Sequence, residues 1–240
     1  RGEVLFLADS FSSYTEPDVG RAAIELLELA GWTVRLVDDV CCGRALISKG
    51  MLPQARVQHD ALVARLASAA GAGIPIVGVE PSCVFTLSDE VPALSGDRVG
   101  AAAIARQARL VDDLVAEAIE DGGLQLQPVP SLAHIVFHPH CHQKAAHATA
   151  GSAALLRCIP GARVDVLDAG CCGMAGSFGF ERAHYDLSLR IGEMRLFPAV
   201  RAAPDAVIAA TGVSCRQQVE HGTGRVAVHP LVLVRSAVRA

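Results

Sequence analysis

Seven of the eight cysteines in this 240-residue sequence fall into two similar sets. One set is Cys41, Cys42 and Cys83; the other is Cys141, Cys171, Cys172 and Cys215. Each contains a Cys-Cys-Gly triplet, at Cys41-Cys42-Gly43 and at Cys171-Cys172-Gly173. Adjacent cysteines rarely bridge each other, because disulfide geometry strains the peptide between them. Thiolates are soft ligands and nucleophiles, so two such pairs point to metal or redox chemistry. Four thiolates suffice for an iron–sulfur cluster and equally for tetrahedral zinc. Structural zinc sites usually draw on local Cys-x2–4-Cys knuckles, which this sequence lacks, and that favours iron–sulfur.

A glycine directly after paired cysteines lets the backbone turn tightly and approach bulky sulfide. Gly173, Gly176 and Gly179 supply that room, and their amides could donate hydrogen bonds to sulfur. The first set is one thiol short, because the position matching Cys141 falls at Ser10 or Phe11. It could hold zinc with a borrowed ligand, share ligands with its twin, or have lost its metal. Around Cys141, the histidines of His138-Pro139-His140-Cys141-His142 could ligate or accept a proton, although a histidine in a polar loop more often only hydrogen-bonds. Arg44, Lys49 and Lys144 could offset cluster charge or simply be solvated. Cys158 stands outside both sets and reads as a small buried apolar residue, and Trp32 as packing.

These residues need elements to carry them. In the first half, residues 4–7 and 33–37 read as strands, and the second of these leads into Cys41. Between them a helix is expected with Thr15 as N-cap and Pro17 in its first turn, repeating Val19, Ala23, Leu26 and Ala30 on one side. Pro53 starts a further helix burying Leu62 and Leu66, residues 74–79 read as a buried strand before Cys83, and an alanine-rich helix spans about 100–120. The segment Asp121-Gly122-Gly123 to Pro130 places a domain boundary at residues 128/129. The second half repeats the order, with strands at 134–137, 164–167 and 206–210, and helices running towards Cys158 and carrying Leu187, Ile191 and Met194. An offset of 130 residues superposes residues 34–38 on 164–168 and both triplets on each other. Two βαβ-type halves with right-handed crossovers imply an α/β fold of two tandem Rossmann-like halves, with parallel sheets and a pseudo-twofold internal duplication. The cysteines then gather beyond the carboxyl ends of the strands, where such sheets bind ligands.

Composition narrows the choice. A net charge of −4 and 4% aromatic residues argue against a nucleic-acid partner. Hydrophobic residues reach 51% without a span-length apolar run, so any membrane association is expected to be peripheral. The N-terminus opens directly into strand-like sequence without an export signal, which predicts a cytoplasmic setting, and Arg1 in place of methionine is compatible with a longer parent chain. Gly71-Ala72-Gly73 precedes a strand instead of following one, so it is no dinucleotide fingerprint.

Four phrases carry a resemblance: the triplet with Arg44 to Gly50; Glu80-Pro81-Ser82-Cys83; His140-Cys141-His142-Gln143-Lys144-Ala145; and Asp168 through Cys171-Cys172-Gly173 to Gly179. Here the sequence resembles the CCG cysteine-rich family over nearly its whole length. That family includes cysteine-rich subunits of heterodisulfide reductase and of anaerobic glycerol-3-phosphate dehydrogenase, and the iron–sulfur subunit of glycolate oxidase. The phrases are most similar to the carboxyl-terminal parts of FAD-linked D-2-hydroxyacid dehydrogenases. The resemblance implies tandem domains whose motifs bind iron–sulfur clusters, some noncubane, at the domain interface. Carried over, Cys141, Cys171, Cys172 and Cys215 are cluster ligands beside Gly173. Cys41, Cys42 and Cys83 form a degenerate metal site. The full motif ends in Cys-x-x-Cys, but Glu80 and Gly212 stand at the first of those positions, so a four-thiolate [4Fe-4S] site fits the second half better than a five-cysteine one.

The expected function is an electron-transfer module of a flavin-dependent 2-hydroxyacid dehydrogenase. FAD would sit only in a partner domain or subunit, and a downstream acceptor would take the electrons. The alternatives are a structural zinc module without redox role and a catalytic cluster that cleaves a disulfide, as in heterodisulfide reductases.

Overall fold

The apolar run near the N-terminus becomes the middle of a parallel sheet. In the computed structural model, which describes residues 1–239, β1 (Gly2–Leu7) buries Val4, Leu5, Phe6 and Leu7 completely, as a strand covered on both faces requires. A π-helical turn (Phe11–Thr15) leads to α1 (Pro17–Leu29), with Pro17 in its first turn. Val19, Ala23, Leu26 and Ala30 are all buried. Glu16 and not Thr15 precedes this helix, because Thr15 is taken up in the π turn. Then follow β2 (Trp32–Val37), α2 (Arg44–Ser48), α3 (Leu52–Gly71), β3 (Ile76–Gly78), α4 (Pro81–Ser88) and α5 (Glu90–Leu94).

The alanine-rich stretch is not one helix. It divides into α6 (Arg98–Gln107), β4 (Ala108–Leu110) and α7 (Val111–Glu120). Ala108, Arg109 and Leu110 favour helix intrinsically, yet they pair in parallel with β3, Ile76 opposite Ala108 and Gly78 opposite Leu110. The sheet edge offers hydrogen bonds that outweigh a few tenths of a kcal/mol of local propensity, which is roughly all that separates such residues.

The second half runs β5 (His134–His138), α8 (Cys141–Ala145), α9 (Ala150–Arg157), β6 (Arg163–Val166), α10 (Tyr185–Met194), α11 (Leu196–Arg201), β7 (Val207–Ala210), α12 (Val213–Thr223), β8 (Ala227–Val228) and α13 (Pro230–Ser236). The helix at residues 185–194 was expected from Leu187, Ile191 and Met194, but its buried side is Ser188 and Gly192; Leu187 and Met194 are exposed. A side chain at Gly192 would overlap the Phe197 ring, so only a residue this small lets α10 close on α11.

The strand orders are β2-β1-β3-β4 and β6-β5-β7-β8, and every pairing is parallel. The chain is therefore two Rossmann-like halves of identical topology. They fall into two compact units, Arg1–Leu114 and Val115–Ala240. The segment after Gly123 pairs with the C-terminal residues of its own unit: the Gln127 amide donates to Ala237 and the Arg239 amide to Gln125.

Register gives a residue-by-residue correspondence. Val4 lies opposite Val34 and Ile135 opposite Val164, so Phe6 superposes on Phe137. Leu7 then matches His138, Asp9 matches His140, and Ser10, not Phe11, matches Cys141. No helix among the described residues is long and apolar enough to cross a membrane.

Candidate metal centre

Every cysteine of the two sets lies just past a strand, and all are free thiols. Cys41 and Cys42 follow β2, and Cys83 sits in the first turn of α4 after β3. In the second unit Cys141 opens α8 after β5, Cys171 and Cys172 follow β6, and Cys215 sits in the first turn of α12 after β7. Three loops thus deliver four thiols to one end of the sheet, the end at which parallel sheets bind ligands. The thiols neighbour one another in succession: Cys141 beside Cys171, Cys171 beside Cys172, and Cys172 beside Cys215. Cys172 and Cys215 belong to the apolar core, whereas Cys141 and Cys171 are only half-buried. In the first unit the succession is shorter, Cys41 with Cys42 and Cys42 with Cys83. Among the described residues no three His, Cys, Asp or Glu side chains are arranged to hold a metal ion. The thiols are neighbours without forming a closed cage. Cys158, at the end of α9, is half-buried and belongs to neither group.

The Cys-Cys-Gly turn has the same geometry in both units. The Gly43 amide donates to the Cys41 sulfur at 3.5 Å and the Gly173 amide to the Cys171 sulfur at 3.3 Å. One residue further on, the amides of Arg44 and Met174 favour the ionised forms of Cys42 and Cys172. Such N–H···S bonds stabilise negative charge on sulfur. Both glycines take positive φ, 76° at Gly43 and 101° at Gly173, where a side chain is strained. Gly173 is also fixed by space, since a Cβ there would run into the Ser188 carbonyl oxygen of α10. Gly179 donates its amide to the Met174 carbonyl and not to sulfur. Arg44 pairs with Glu90, and Lys144 donates to the Gly170 carbonyl beside the second triplet.

The loop bearing Cys141 is held by a buried polar network. His140 caps α8, its Nδ1 accepting from the His142 amide at 3.2 Å. Gln143 closes the capping box by accepting from the His140 amide at 3.0 Å. The same carboxamide oxygen accepts from the Thr211 hydroxyl, and its nitrogen donates to Ser152 Oγ at 2.8 Å. Gln143 therefore ties the turn that launches Cys141 to the strand end that launches Cys215. The His-x-x-Gln spacing of a capping box was visible in the sequence; the link to Thr211 was not. Arg216, buried next to Cys215, donates to the carbonyls of Ala210 and Thr211 and pins the same strand end.

Position 212 explains the departure from the Cys-x-x-Cys motif. Any Cβ on Gly212 would overlap the His140 ring, so the imidazole fills the place a further cysteine would need. His138, 1% exposed at the end of β5, is different: neither ring nitrogen makes a hydrogen bond of ordinary geometry, although the ring lies beside the Cys215 sulfur. Leaving a buried polar group unpaired costs about 1–3 kcal/mol, so this residue requires a reason.

Charge differs sharply between the units. The hydrogen bond from Cys141 draws the Cys171 thiol well below its ordinary pKa, helped by a second bond from Cys172; Cys141 is pushed up in return, and burial adds to that. Cys172 is held up between Cys171 and Cys215. Cys215 is drawn down by its bond with Cys172, with His140 and His138 contributing in the same direction. In the first unit all three thiols are raised. For Cys41 the bond with Cys42 leads and burial follows. For Cys42 the bond with Cys41 acts downward, but Cys83 and burial outweigh it. For Cys83 the bond with Cys42 also acts downward, and burial with the charges of Asp9 and Glu80 prevails. Four soft donors, amide N–H groups aimed at sulfur and a buried imidazole without a partner make the second unit fit an iron–sulfur group.

The sequence pattern of the CCG cysteine-rich domain matches this chain twice, over residues 7–88 and 135–220. The chain belongs to that family. Among its relatives, a subunit of the anaerobic glycerol-3-phosphate dehydrogenase of Escherichia coli (strain K12) is 31% identical over 242 residues, covering 99% of this chain and 60% of the relative. D-2-hydroxyglutarate dehydrogenase of the same strain is 31% identical over 232 residues, covering 95% of this chain and 22% of that enzyme. D-2-hydroxyglutarate dehydrogenase of Pantoea ananatis (strain AJ13355) is 29% identical, again with 22% of its length covered. This CCG chain thus matches a part of each dehydrogenase and spans less than two thirds of their lengths.

Proposed function

We propose that this chain is the iron–sulfur electron-transfer part of a flavin-dependent 2-hydroxyacid dehydrogenase, passing electrons from reduced FAD to a downstream acceptor. The observation that carries the proposal is the continuous row of four thiols, Cys141, Cys171, Cys172 and Cys215, at the ends of three neighbouring strands. These residues would hold a [4Fe-4S] cluster, which when bound supplies one-electron chemistry between a two-electron flavin and its acceptor. The chain's own contribution is positional and electrostatic. The amides of Gly173 and Met174 stabilise charge on Cys171 and Cys172, Gln143 fixes the spacing of the outer loops, and the core around Cys172 and Cys215 excludes water. Hydride abstraction belongs to an FAD-binding domain or subunit, a partner that relatives longer than this chain support. A cytoplasmic setting suits eight free thiols.

Cys41, Cys42 and Cys83 form a second, three-thiol site. The carboxylates of Asp9 and Glu80 bear on it, and zinc accepts oxygen donors beside sulfur, which makes zinc the candidate there. Anaerobic purification followed by iron, acid-labile sulfide and zinc analysis tests both assignments. The expected result is a coloured, reducible protein with iron and sulfide in equal amounts. A colourless, zinc-loaded protein would overturn the electron-transfer function and leave a structural zinc module.

A further inference from the structure

We infer that His138 is a tuning residue, whose ring N–H donates a hydrogen bond to sulfur at the second-unit centre and makes the bound group easier to reduce. The inference rests on the iron–sulfur assignment to Cys141, Cys171, Cys172 and Cys215. Three observations carry it. First, His138 is 1% exposed and neither ring nitrogen has an ordinary hydrogen-bond partner, so at least one N–H of the neutral ring is left without an acceptor inside the protein. Second, the ring is placed where sulfur is: His138 ends β5 opposite Ala210 of β7, the strand that launches the helix of Cys215, and the Cys215 sulfur lies within its reach. Third, the matching position in the first unit is Leu7, which is 2% exposed and packed in an apolar core. The fold accommodates a hydrocarbon side chain at this place. A polar side chain there must find its partner in something particular to the second unit.

His140 does not serve the same purpose. Its Nδ1 is committed to capping α8 through the His142 amide, and its ring packs against Gly212. His138 has no such structural duty. A hydrogen bond to a thiolate or sulfide stabilises the more negative, reduced state, so its removal lowers the reduction potential.

The test uses the full chain, reconstituted anaerobically with iron and sulfide, as wild type, H138L and H138Q. Leucine copies the first unit, and glutamine keeps an N–H donor of similar reach. At the wild-type midpoint potential, iron-loaded H138L should show about a tenfold lower ratio of reduced to oxidised centre, roughly a 59 mV negative shift for a one-electron couple. H138Q should recover most of that loss. An iron-loaded H138L with the wild-type midpoint overturns the inference while leaving the iron–sulfur assignment intact. A wild-type protein that takes up no iron overturns that assignment and this inference with it. If H138L loses its iron, nitrogen-15 labelling of the histidines decides. A magnetic coupling between the reduced centre and a histidine nitrogen that vanishes in H138Q supports the inference, and a spectrum unchanged in H138Q overturns it.

Discussion

The two units share a strand order and a Cys-Cys-Gly turn, yet they surround their thiols with different groups, carboxylates in the first and imidazoles in the second. In the first, Asp9 and Glu80 oppose ionisation of Cys83; in the second, His140 and His138 favour ionisation of Cys215. Metal binding requires thiolate, so the first unit, where all three thiols are raised, offers the more reluctant site, and the second, where Cys171 and Cys215 are drawn down while Cys141 and Cys172 are raised, the readier one. The difference extends to mechanics. Cys141 is held by Gln143, which also grips Thr211, whereas Ser12, the residue matching Gln143, bonds only within its own turn, to Asp9. A duplicated fold can thus keep its geometry while the few residues lining one strand end decide what that geometry can hold.

The strongest way to break this comparison is to remove one thiol from each unit. Cys172→Ser should abolish most iron binding, because it deletes an inner member of the row of four, whereas Cys42→Ser should leave iron near the wild-type amount and remove only zinc. Metal analysis of the two purified variants reads this directly, and equal iron loss from both would show that the units do not differ as described.

A smaller effect sharpens the mechanical side. Gly173→Ala combines positive φ with overlap against the Ser188 carbonyl, backbone that cannot move aside, and should cost about 2–4 kcal/mol. Gly43→Ala also takes positive φ but approaches the His59 ring at 2.9 Å, a milder overlap than that with the Ser188 carbonyl at Gly173, and should cost only about 1–2 kcal/mol. Urea denaturation of the two variants gives both values, and a Gly43→Ala loss equal to or above that of Gly173→Ala contradicts the argument.

The smallest effect concerns surface carboxylates. In the second unit the hydrogen bond from His134, then that from Arg163, holds Asp165 below the ordinary value of 3.8; in the first, the Gly96 amide and the Ser95 hydroxyl do so for Asp60. A depressed carboxyl contributes stability that is present above 3.8 and lost as pH falls through its lower folded value. Asp165→Asn and Asp60→Asn should therefore each lower the melting temperature slightly near neutral pH, with the gap closing in acid. Salt should shrink the effect of Asp165→Asn, which loses an ion pair with Arg163, more than that of Asp60→Asn, which loses chiefly hydrogen bonds to neutral groups and only a weaker attraction to Arg56.

Much of the candidate site was legible because its signals are local. Vicinal cysteines, the glycine that follows them and the strand that precedes them stand within a few residues of one another, and the second copy confirms the pattern of the first. β4 was hidden for the opposite reason: Ala108, Arg109 and Leu110 carry helical propensity, and only the edge of β3 makes them a strand. The buried side of α10 was misjudged because Ser188 and Gly192 are chosen for closeness to a neighbour, a property that hydrophobic periodicity does not register.

The amino-acid sequence by itself determined that this chain is a duplicated α/β protein with thiols at its strand ends, since chain-local spacing encodes both the period of the elements and the place of each cysteine. Tertiary structure alone decided which histidine lies buried without a partner, why Gly212 cannot be a cysteine and how Gln143 reaches Thr211. Those relations join residues far apart in the chain, and they exist only once parallel strands have brought their ends together.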